Sequence, residues 1–110
     1  MNISSADDGH IVVFSISGSM DATSVDDFND AWAHGFVAGR SFLFDLNGLE
    51  YVSSAGLRCF LGVGKACMSA KANLAFCSMG DMVADVFRIT GFSGIFKVYA
   101  TAEEAIAALG

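Results

Sequence analysis

The segment Ser41-Phe42-Leu43-Phe44-Asp45-Leu46 is apolar at consecutive positions rather than at every second one. Successive side chains of a β-strand point to opposite faces, so Phe42, Leu43 and Phe44 require cover on both sides. Such a strand belongs inside a mainly parallel sheet flanked by helices, and the rest of the chain has to supply both.

It does so in regular alternation. His10-Ile11-Val12-Val13-Phe14-Ser15-Ile16-Ser17 is β-branched and aromatic and ends at Gly18, which predicts a strand. A short hairpin partner around residues 2–6 precedes it, with a turn at Asp8-Gly9. Ser24 followed by Asp27 has the pattern of a capping box, and Val25, Phe28, Trp32 and Phe36 recur at near-helical spacing. That first helix ends near Gly35 or Gly39. After the strand 41–46 a short polar loop leads to Ser53-Ser54, which open a second helix carrying Leu57, Phe60, Leu61, Gly64, Cys67 and Met68 as its apolar stripe. A strand over 73–77, a third helix over 81–90 stopped by Gly91, and a strand over 96–99 follow. Thr101 and Glu104 cap a last helix that turns Ala105, Ile106 and Leu109 inward. The predicted order is ββαβαβαβα, an α/β fold with a mixed, mainly parallel sheet and flanking helices, in one domain over residues 1–110. Binding sites in such sheets collect at the carboxyl ends of the strands, where Asp21 and the serine pair fall.

Composition narrows what the domain can do. With 54% hydrophobic and 16% charged residues, the chain has ample material for one core and none of the character of a disordered segment. No apolar run approaches the ~18–20 residues that span a bilayer, and the first residues lack a basic and apolar signal, so a cytoplasmic protein without membrane insertion is expected. Cys59, Cys67 and Cys77 are odd in number, show no C-x-x-C spacing and sit in apolar stretches, which predicts buried reduced thiols. Residues 1–50 hold eight acids against Arg40 alone, a net of −7, while residues 51–110 hold four acids against five bases. An overall charge of −6 disfavours nucleic acid, whose binding depends on cations that neutralise phosphates, and favours a basic protein surface.

Enzymatic chemistry is poorly provided for. The two histidines, His10 at a strand start and His34 late in the first helix, give Ser54 no general base, which argues against a serine hydrolase. Gly62-x-Gly64-Lys65 falls inside a helix and lacks the first glycine and the trailing hydroxyl of a phosphate loop. Asp45-x-Asn47-Gly48 is too short for a calcium loop. What remains is a pair of hydroxyls at a helix N-terminus, where free N–H groups and the helix dipole favour a phosphate. Serine is also a preferred N-cap, so the pair taken by itself reads first as a cap.

The wider frame adds to this. The run from Phe44 to Arg58, Phe-Asp-Leu-Asn-Gly-Leu-Glu-Tyr-Val-Ser-Ser-Ala-Gly-Leu-Arg, resembles the signature of the STAS domain, the fold of bacterial anti-sigma factor antagonists. Gly18-Ser19-Met20-Asp21-Ala22 resembles the second marked segment of that family, and the likeness extends over the whole chain in element order and length. It implies that Ser54 is phosphorylated by a partner that is both a serine protein kinase and an anti-sigma factor, with Ser53 as the fallback acceptor. It further implies a partner-binding surface of Asp21, Ser53, Ser54, Gly56, Leu57 and Arg58, a serine phosphatase as a second partner, no cofactor and no metal, and a monomer or weak homodimer. The chain departs from the family in having Ser53 where many members carry an aspartate, and Ala55 where a second serine is frequent.

A phosphate on Ser54 would add about −1.5 to −2 charge at the helix start, beside Asp21. The expected function is therefore a partner switch in which the unmodified domain holds the anti-sigma factor and frees a sigma factor. The alternative implied by the same resemblance is a constitutive STAS subunit of a phospholipid-transport ATPase complex. Binding of a small ligand or nucleotide at the sheet edge is a third expectation.

Overall fold

The alternation of β-branched and aromatic strands with glycine-bounded helices produces a single five-stranded sheet in the computed structural model, which describes residues 1–110. The strands β1 (Asn2–Asp8), β2 (Ile11–Met20), β3 (Ser41–Val52), β4 (Leu74–Cys77) and β5 (Lys97–Tyr99) lie side by side in chain order. Only β1 runs antiparallel to its neighbour. Four α-helices, α1 (Val25–Gly35), α2 (Ser54–Ala70), α3 (Asp81–Ile89) and the single turn α4 (Phe92–Ile95), pack on one face, and α5 (Ala102–Leu109) covers the other. Parallel neighbours joined in chain order by crossovers of one hand place their helices on one side, so the second face depends on the C-terminal helix.

The central strand divides its side chains as the sequence requires. Phe42, Phe44 and Leu46 enter the larger core with Phe14, Ile16 and Phe76, whereas Leu43 joins Ile11, Ala75, Cys77, Ala105 and Leu109 under α5. Register places Phe14, Phe44 and Phe76 in one row across three strands. Their rings stack, with centroids 4.9 Å apart for Phe14 and Phe44 and 5.5 Å for Phe44 and Phe76. Phe28 of α1, Phe60 of α2 and Phe87 of α3 meet that row at 5.2–5.9 Å. Offset and edge-on pairs of this kind add to the area that the rings bury.

Four local features differ from the sequence reading. The residues after Leu46 are not a loop: β3 continues to Val52, pairing Ser17 with Gly48 and Met20 with Val52. Two register shifts, one beyond Ser15 and one beyond Gly18, each absorb a residue, so Leu49 and Val52 both reach the core although they are three positions apart. Gly48 permits the first shift, because a Cβ there would sit 2.7 Å from the Ser17 Cβ. The expected cap of α1 also moves. A 3₁₀ turn, Ala22–Ser24, precedes the helix, and Ser24 makes no side-chain cap bond to it; Asp21 caps the turn instead. The buried stripe of α2 is Ala55, Gly56, Cys59, Phe60, Val63 and Cys67, while Met68 is 80% exposed. Helix α4 was not anticipated, because four residues are too few to show a period.

The three cysteines are free and buried. Burial raises all three thiol pKa values, that of Cys67 to about 11, so none is a thiolate at neutral pH.

Phe44 is fully buried at the centre of the ring row. Phe44→Ala is expected to cost ~3–5 kcal/mol, a large part of what a domain this size has, and to leave it largely unfolded. Urea titration followed by circular dichroism measures this, and a loss under about 1 kcal/mol would contradict the central place given to this side chain.

Candidate phosphorylation and partner-binding surface

The candidate site is built by two adjacent strand ends. Met20 and Val52 are partners in the β2–β3 ladder, and the Ser53 N–H extends it by donating to the Met20 carbonyl at 2.8 Å. Asp21 and Ser53 are thus the next residues on two strands already tied together, and Ser54 follows as the first residue of α2. From there each chain turns into a helix on the same face.

At the start of α2 the backbone assigns the two serines different parts. Ser53 is extended (φ −89°, ψ 177°) and is the N-cap; its Oγ accepts from the Gly56 N–H at 3.4 Å, and its carbonyl accepts from the Leu57 N–H at 2.9 Å. Ser54 is the first residue of the helix and is exposed. Its hydroxyl is therefore at the positive end of the dipole without being the one that closes the cap.

Gly56 sits where no side chain fits. A Cβ would lie 2.8 Å from Val52 Cγ2, 3.0 Å from Met20 Cγ and 3.2 Å from the Met20 carbonyl oxygen. Gly56 is buried, so within the surface the sequence suggested it is a spacer that lets α2 begin directly on the strand ends. Leu57 is half-buried against the large core. Arg58 is exposed, one turn after Ser54.

On the other strand, the Asp21 carboxylate accepts from the Thr23 hydroxyl at 2.6 Å and the Thr23 N–H at 2.9 Å, with the Ser24 hydroxyl at 3.4 Å. The Asp21 N–H donates back to Ser24 Oγ at 3.3 Å. These bonds, those from Thr23 foremost, hold the Asp21 carboxyl below its ordinary pKa, so it is ionised beside the serines at neutral pH.

The structure thus brings Asp21, Ser53, Ser54, Leu57 and Arg58 to one edge, with Gly56 beneath. Sequence reasoning passed over two neighbours. Tyr51 is 48% exposed just before the serines, and an aromatic ring in a polar segment was its only signal. A hollow of about 470 Å³ between α1 and α2 is lined by Val25, Asn29 and Trp32 from one helix and Ala55, Arg58 and Cys59 from the other. Neither histidine is near: His10 lies beyond the opposite end of β2, where its Nε2 is 3.2 Å from the Leu109 carbonyl, and the His34 ring nitrogen meets the Asp30 carbonyl at 2.7 Å.

A sheet of this order with its helices so arranged matches a known fold. The STAS domain family model covers residues 2–105, and the chain belongs to that family. It is 42% identical to BtrV of Bordetella bronchiseptica, named as a candidate anti-sigma factor antagonist, over 69 residues that span 63% of this chain and 60% of BtrV. It is 27% identical to the anti-sigma-B factor antagonist of Listeria monocytogenes over 99 residues, 89% of this chain and 86% of that protein. Among solved structures, the phosphorylated form of Bacillus SpoIIAA superposes with a TM-score of 0.71 at 19% identity, covering 99% of this chain and all of the other. That likeness establishes the fold. No helix is long and apolar enough to cross a membrane.

Two predictions separate the residues by role. Ser53→Ala removes the cap and should cost ~1 kcal/mol, lowering Tm by about 4–8 °C, whereas Ser54→Ala should stay within about 0.5 kcal/mol of the parent. Calorimetry of both decides; equal losses would mean that the serines share the cap. For Asp21 the sign follows from a carboxyl held below its ordinary pKa. Its contribution is complete above that ordinary value and is lost as pH falls through the lowered one. The stabilities of the parent and Asp21→Ala should therefore differ at neutral pH and converge in strong acid, as read by urea titration across pH; a constant gap would contradict the assignment.

Proposed function

We propose that this chain is an anti-sigma factor antagonist, a non-enzymatic cytoplasmic switch whose binding to a serine-kinase anti-sigma factor is controlled by phosphorylation of Ser54. The observation that carries this reading is the division of labour at the helix start: Ser53 closes the cap, and Ser54 is presented to solvent at the first helical position. The relatives that bear the antagonist name support the class of partner. In the unmodified state Asp21, Ser53, Ser54, Leu57 and Arg58 form the contact surface, and the captured kinase can no longer hold its sigma factor.

Phosphorylation acts here by charge. The helix dipole tolerates about two added negative charges within the domain, but a partner docked over the same surface has to desolvate them beside the ionised Asp21. A loss of ~3 kcal/mol is a factor of over one hundred in affinity, enough to empty the complex. A serine phosphatase would restore the binding form. No movement of the sheet is needed.

The test uses the serine-kinase anti-sigma factor that this reading requires, recovered by co-purification with the unmodified chain. After incubation with ATP, mass spectrometry should place one phosphate on Ser54, and the modified chain should bind at least tenfold more weakly than the unmodified one. Ser54→Ala should bind and remain bound in ATP, and Ser54→Asp should bind weakly. Phosphate on neither serine, or undiminished binding of the phosphorylated chain, would overturn the switch and leave a constitutive STAS subunit of a transport ATPase as the better account.

A further inference from the structure

The chain has three arginines, and acids outnumber its lysines and arginines twelve to six. Arg40 meets Asp7 at 3.5 Å and Arg88 meets Asp85 at 3.2 Å. Arg58 has no carboxylate within ion-pair distance. Its neighbours three and four positions away along α2 are Ser54, Ala55, Leu61 and Gly62, and across the hollow α1 offers Val25, Asn29 and Trp32. In so acidic a chain, an exposed arginine without an acidic partner, one helical turn from the exposed Ser54, is an unfilled half of an ion pair.

We propose that Arg58 is the intramolecular counter-ion of phosphorylated Ser54. This rests on Ser54 being the modified residue. An anion four positions before a cation is the favourable order for a side-chain pair on a helix, and here the anion also sits at the dipole end that suits it. A phosphate offers the guanidinium fork several oxygens at once, which a single serine hydroxyl does not. Phosphorylation then changes the contact surface twice. It adds a dianion at position 54, and it withdraws the Arg58 cation from any carboxylate that the partner presents to it. The same pairing lets the modified helix start keep its structure, since the new charge is met from within the chain as well as by the N–H groups of the first turn.

Phosphoserine placed at position 54 by genetic-code expansion tests this without any kinase. The second phosphate ionisation is followed by ³¹P NMR at low salt in the otherwise unaltered chain, in Arg58→Gln and in Arg58→Lys. A counter-ion favours the dianion, so the unaltered chain should titrate at least about 0.2 pH unit below Arg58→Gln. Arg58→Lys, which keeps the charge, should recover at least half of that gap. A smaller gap, or no recovery with lysine, overturns the proposal. Because the phosphate is supplied synthetically, failure here leaves Ser54 phosphorylation standing, and failure of the kinase assay leaves this titration to be read on its own terms.

Discussion

The structure depends on the row of Phe14, Phe44 and Phe76 across three parallel strands, closed from above by Phe28, Phe60 and Phe87. Each ring comes from a different element, so one cluster fixes the distances of α1, α2 and α3 from the sheet. Interiors of this density do not deform continuously. Helix α2 in particular is held by Phe60 at its middle and by Gly56 at its start, where any Cβ would collide with Met20 and Val52. The position of the serines is thus a consequence of core packing several residues away.

That rigidity bears on mechanism. The Ser53 N–H bond to the Met20 carbonyl joins the start of α2 to the end of β2, and Asp21 is immobilised by the turn that it caps. A surface built from two tied strand ends is preorganised, and under the proposed phosphorylation it would have little freedom to rearrange. In the proposed switch charge is then the means of release, and the start of α2 carries groups that would respond to it: the dipole and free N–H groups of its first turn and, one turn on, the Arg58 side chain.

Much of this was legible in the residues. Phe42-Leu43-Phe44 announced an interior strand because period-two geometry leaves no other way to bury three consecutive apolar side chains. The extension of β3 to Val52 was hidden because its two register shifts break that same period and place Leu49 and Val52 inside at a spacing of three. The serine pair was visible as a helix start, but both residues are good caps, and only the extended backbone at Ser53 assigns them different roles. Asp21 was picked out by its place after the second strand and by its resemblance to a family segment; its hydrogen bonds to Thr23 and Ser24 required the 3₁₀ turn to be seen. Gly56 was read as a contact residue, since nothing in a linear pattern distinguishes a glycine that a partner touches from one that two strands press upon.

The central claim is that phosphorylation alters a rigid surface by charge rather than by rearrangement. Amide chemical shifts and hydrogen-exchange protection of the chain, measured with serine and with phosphoserine at position 54, test it most directly. The account predicts shift changes confined to residues around Met20 and Asp21 and to Val52 through Arg58, with protection across β3 and β4 unchanged. Loss of protection in those strands, or shift changes spread through the phenylalanine core, would show that the switch works by remodelling the fold and would contradict it.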